Sequence, residues 1–106
     1  MTELDKKELF YNICEEASRE LNSRGGKLLY SDFWKVMESL KGKYSFDGKR
    51  SLHPVWWALK ETGAVVYEAQ YRIGSENNAI VTAGIPIDES FREKTAGYAA
   101  VFEERI

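Results

Sequence analysis

At Gly63 the periodicity of the chain changes, and that change limits what it can fold into more than any other feature. Before it, Leu52, Val55, Trp56 and Leu59 recur every three or four positions and form one apolar stripe, which is helix spacing. After it, residues 64–73 are rich in β-branched and aromatic side chains, residues 74–78 form a dense Gly, Ser and Asn turn cluster, and residues 79–83 make a second strand-like run. The pattern predicts a helix running through a glycine into a β-hairpin with a polar tip. A chain of 106 residues suits one domain, so helix and hairpin must share one core. The fold class is α+β.

The flanking segments fill out that core. Phe10, Ile13, Cys14, Ala17 and Leu21 predict a helix from about Leu4 to Leu21, with Thr2 and Asp5 placed to cap it and residues 22–26 ending it. Residues 27–30 read as a short strand. A second helix is expected over Ser31–Lys41 on Phe33, Val36, Met37 and Leu40, capped by Ser31 and closed by Gly42. Residues 41–50 form a basic loop with two aromatics, Tyr44 and Phe46. Ser51 is expected to cap the third helix, whose first turn holds Pro54. Asp88 is expected to cap a last helix reaching about Glu104 on Phe91, Thr95, Tyr98 and Phe102, with a strand over 98–102 as the alternative.

Composition narrows the setting. The single cysteine, Cys14, allows no internal disulfide, sits on an apolar stripe and reads as a small buried hydrophobe. The opening residues contain no signal-like apolar run, and no stretch approaches the ~20 apolar residues of a membrane span. A cytoplasmic setting is the expectation. The net charge of −2 is unevenly spread. Residues 1–23 carry three basic and six acidic side chains, residues 24–60 eight and three, and residues 61–106 four and eight. A near-neutral total therefore contains a cationic middle.

The order helix, strand, helix, helix, hairpin, helix resembles a winged helix-turn-helix domain with an additional C-terminal helix. The resemblance is carried by Leu52-His-Pro-Val-Trp-Trp-Ala-Leu-Lys-Glu-Thr-Gly-Ala-Val-Val-Tyr-Glu68, and it covers residues 4–83. It implies that the third helix enters the major groove of double-stranded DNA and that the hairpin tip touches the backbone or the minor groove. Two departures stand out: a long loop over Gly42–Arg50, and a third helix poor in Arg and Lys.

The residues that would carry such binding are Lys41, Lys43, Lys49, Arg50, His53, Trp57, Lys60 and Arg72. The lysines suit phosphates, and Arg50 and His53 suit base edges. Ser75, Asn77 and Asn78 at the hairpin tip can donate to phosphate, while Glu76 repels it. Residues 88–106 form a terminal extension. Phe91, Tyr98, Val101, Phe102 and Ile106 would pair with helix one in a twofold homodimer or pack on the monomer core. A sequence-specific transcriptional regulator is the first reading, and a protein-interaction module on the same fold is the alternative. Single-stranded RNA binding through the exposed aromatics is a weaker third.

Catalysis finds little support. One His and one Cys far apart give no metal-ligand spacing. Gly25-Gly26 lacks the Lys-Ser/Thr of a phosphate loop. The carboxylate pairs Glu15/Glu16 and Glu103/Glu104 fall on faces expected to be solvated. No cofactor, small-molecule substrate or enzymatic activity is expected.

Overall fold

The first helix begins where the side chain of Asp5 accepts a hydrogen bond from the Lys7 amide at 3.0 Å, the cap expected of it. A computed structural model describes residues 5–69 and 79–106. The elements run α1 (Lys6–Ser23), β1 (Lys27–Leu29), α2 (Tyr30–Lys43), α3 (His53–Glu61), β2 (Val65–Glu68), β3 (Ile80–Ala83), α4 (Glu89–Lys94) and α5 (Ala96–Arg105). The three short strands form one antiparallel sheet in the order β1-β3-β2. The class is α+β.

The predicted stripes supply the core. Phe10, Ile13, Cys14, Ala17 and Leu21 from α1 are fully buried, as are Phe33 and Met37 from α2 and Val55 and Leu59 from α3. Val65 and Val81 close the core from the sheet side. Burial pushes the Cys14 thiol well up, and the neighbouring Glu15 adds to that, so it stays a neutral packing group.

Two expected caps are corrected. Helix α2 starts at Tyr30, one residue before Ser31, and no side chain caps it. The Tyr30 amide instead donates to the carbonyl of Ala79 at 2.8 Å, continuing the strand pairing into the helix. Ser51 does not cap α3 either. It is buried, its hydroxyl has no partner among the described residues, and Leu52 occupies the cap position. Helix α2 also runs through Gly42 to Lys43.

The terminal helix is two helices. Asp88 caps the first, accepting from the Ser90 amide at 2.9 Å. The break falls at Thr95, where φ is −115° and ψ 10°. Thr95 is buried, and its hydroxyl donates to the Phe91 carbonyl at 2.6 Å. A threonine hydroxyl competing for that carbonyl bends a helix. The alternative strand over 98–102 is not formed. Helix α5 packs on α1 and α3, with the Phe102 ring 5.6 Å from Phe10 and 5.7 Å from Phe46. Phe91 and Phe102 are thereby consumed by the chain's own core, while Tyr98, Val101 and Ile106 are half-buried.

Gly63 joins α3 to β2 with φ +78°, a conformation that costs glycine little. Its carbonyl accepts from the Ile85 amide at 2.8 Å, which ties the connector after β3 back to the end of α3. Among the described residues, no helix is long and apolar enough to cross a membrane.

Candidate functional site

Helix α3 buries Pro54, Val55, Trp56, Ala58 and Leu59 and turns His53, Trp57 and Lys60 outward. Trp57 is 37% exposed, unusually open for its size. Its ring is 6.0 Å from His53 and 6.2 Å from Tyr98 of α5. On the other side His53 stands 5.5 Å from Trp34 of α2. An aromatic row thus crosses α3 from α5 to α2. It continues through Tyr30, 6.2 Å from Trp34, to Tyr67, 5.1 Å further on. The Nδ1 atom of His53 is buried with no partner among the described residues.

Cations bracket this row. The Arg105 guanidinium lies 5.3 Å from the Trp57 ring centre, and the Lys60 ammonium lies 5.6 Å from that of Tyr67. Lys49 and Arg50 are exposed at the approach to α3, where the helix end adds its own partial positive charge. Arg50 holds a left-handed backbone, φ +60°. Its carbonyl accepts from Arg105 Nη1 at 2.9 Å, so one guanidinium both fixes that turn and covers Trp57.

The loop is seated on α5 by shape. Gly48 has φ +147°, and a Cβ there would stand 2.1 Å from the Arg105 carbonyl oxygen. Only glycine fits between the loop and the last turn of α5.

The predicted cations divide into two groups. Lys49, Arg50 and Lys60 flank the α3 face and form no ion pair among the described residues. Lys41 and Lys43, at the end of α2, are already engaged. Lys41 lies 3.5 Å from Glu38 one turn back. Lys43 donates to one carboxylate oxygen of Glu16, and the Tyr44 hydroxyl donates to the other. Arg72, with Ser75, Glu76, Asn77 and Asn78, lies outside the described residues.

Glu16 corrects the expectation of a solvated Glu15/Glu16 pair. Glu15 is exposed, but Glu16 is only 9% exposed. The Lys43 hydrogen bond, and after it that of Tyr44, hold its carboxyl below the usual carboxylate range. The same bond to Glu16 pushes the Tyr44 phenol up. This cluster ties α2 to α1.

Sequence reasoning did not find Arg105, Trp34 or Tyr98 as members of the α3 face. The signal for Arg105 was slight: a lone cation in the last turn of a helix whose packing was undecided. Among the described residues, no three His, Cys, Asp or Glu side chains cluster as metal ligands would. Comparisons with protein-family models, characterised proteins and solved structures gave no match.

Proposed function

We propose that this chain is a winged-helix protein that binds double-stranded DNA through the outer face of α3, acting as a sequence-specific regulator. The observation that carries the reading is the row Lys49, Arg50, Trp57 and Lys60, all exposed, with His53 and Arg105 half-buried among them. It gathers cations that form no ion pair among the described residues around the aromatic rings of the α3 face. The sheet order β1-β3-β2 and the passage of α3 through Gly63 into β2 agree with a winged-helix layout. In that arrangement Lys49 contacts phosphate, Arg50 and His53 reach base edges, and Trp57 and Arg105 form the wall beside them. Lys41 and Lys43 drop out of the contact set, because Glu38 and Glu16 already hold them.

The test is a mobility-shift titration on mixed duplexes at about 50 mM and about 200 mM salt, where phosphate contacts declare themselves by their salt dependence. Binding at low salt that weakens with Arg50→Ala and Lys49→Ala supports the reading. A folded protein that binds no duplex at low salt defeats it.

The aromatic row favours a second reading, a protein-interaction module. Tyr98, Trp57, His53 and Trp34 with Arg105 have the composition of an interface anchor. One stoichiometric protein partner, lost on Trp57→Ala and insensitive to salt, would select it over DNA.

A further inference from the structure

The outer face of the sheet carries a charge and apolar pattern that the α3 reading does not use. Strand alternation sends Leu28, Val65, Tyr67 and Val81 toward the core. The opposite face holds Lys27, Thr82 and Val66 in one register row and Leu29, Ile80 and Glu68 in the next. Leu29 and Val66, at opposite corners, are 45% and 44% exposed, large values for such residues. Ile80 and Thr82 lie between them. Lys27 and Glu68 occupy the other two corners, are exposed, and form no ion pair among the described residues.

We infer that this face docks on the same face of a second copy of the chain. Strands about 4.8 Å apart and a two-residue step of about 6.7 Å make the patch nearly square, about 10 Å by 7 Å between corner Cα positions. Near-orthogonal packing about a twofold axis along the Leu29–Val66 diagonal lays the apolar diagonal over itself. The same operation sets Lys27 of each copy over Glu68 of the other. Two symmetric ion pairs then bracket an apolar strip. An unrelated partner would need this diagonal arrangement separately, whereas a second copy brings it by symmetry. The terminal helices are poorer candidates, because Phe91 and Phe102 are spent inside the monomer.

The patch is small beside the ~800 Å² per partner of a stable complex, so the dimer is weak, with a dissociation constant on the order of 100 μM. Sedimentation equilibrium from about 20 μM to about 1 mM tests it over the range where such a dimer forms. Lys27→Glu or Glu68→Lys alone should weaken association at least about tenfold, because each sets like charges opposite one another. The double reversal should restore it, and Val66→Lys should remove it. Methyl signals of Leu29, Val66 and Ile80 should move with concentration while those of Leu59 stay fixed, which reports on the face without any substitution. A protein that stays monomeric to about 1 mM overturns the inference. So does a double reversal no better than the single ones, or concentration shifts confined to Val101 and Ile106. None of these residues lies on α3, so failure here leaves the DNA reading standing, and the reverse holds.

Discussion

The end of α2 and the approach to α3 carry the same kind of charge and meet different fates. At the first, Lys41 and Lys43 are held by Glu38 and Glu16. At the second, Lys49 and Arg50 stand open beside a helix end. The difference lies in what each backbone faces. Helix α2 ends against α1, which offers a recessed carboxylate. The following loop turns onto α5, which offers the cation Arg105 and a glycine-sized gap. A count of lysines in a stretch therefore says little about how many can meet a ligand.

The sharpest way to break this contrast is at Glu16. Glu16→Ala strips the partner from both Lys43 and the Tyr44 phenol. It should lower stability by about 1–3 kcal/mol in denaturant unfolding. The lower end applies, because Lys43 is more than half exposed and solvent screens it. Loss of only a few tenths would show that the α2 end is not locked, and Lys43 would rejoin the available cations.

The pH dependence is the next largest effect. The folded-state pKa of Glu16 is depressed, so its contribution is present above the unfolded carboxylate value of about 4.3 and is lost as pH falls through the folded value. Glu16→Gln should flatten the fall of stability in acid relative to the parent. Glu8 and Asp88, also depressed, keep a residual slope in both proteins. Identical acid limbs would remove the special standing of Glu16.

At the open region the effect on stability has the opposite sign. Arg50→Gly relieves a left-handed backbone and should raise stability by about 0.5–1 kcal/mol, and under the proposed DNA reading it should weaken duplex binding through the lost guanidinium. A thermal melt and a binding titration on one preparation check both halves. The smallest effect is in salt dependence. Lys49→Ala should lower the slope of log affinity against log salt by about one unit. Lys41→Ala should leave it unchanged, because Glu38 holds that ammonium. Equal slopes for the two variants would erase the distinction between the regions.

The sequence made the layout legible because its main signals are local. The Gly63 switch, the α1 stripe and the Asp5 and Asp88 caps each depend on neighbours within a few positions. What escaped depends on distant partners. Ser31 was displaced as a cap because the Tyr30 amide is taken by Ala79, across the sheet. Glu16 sits at the border of the α1 stripe, and its partners Lys43 and Tyr44, 27 and 28 residues on, are what hold it there. The Thr95 break is a local event hidden within a good helical repeat. For the α3 face, the outward turn of His53, Trp57 and Lys60 follows from helix spacing. Arg105 enters through a contact spanning 55 residues, which no spacing rule reports.

The missing side chain at Gly48 has a mechanical consequence. With the Arg105 carbonyl filling that space, the loop before α3 and the final turn of α5 cannot slide past one another. Backbone amides in these two stretches should then open to solvent as one cooperative unit, slowing or quickening in step during hydrogen exchange. Whatever seats itself on Arg50 would be felt first at the far end of the polypeptide.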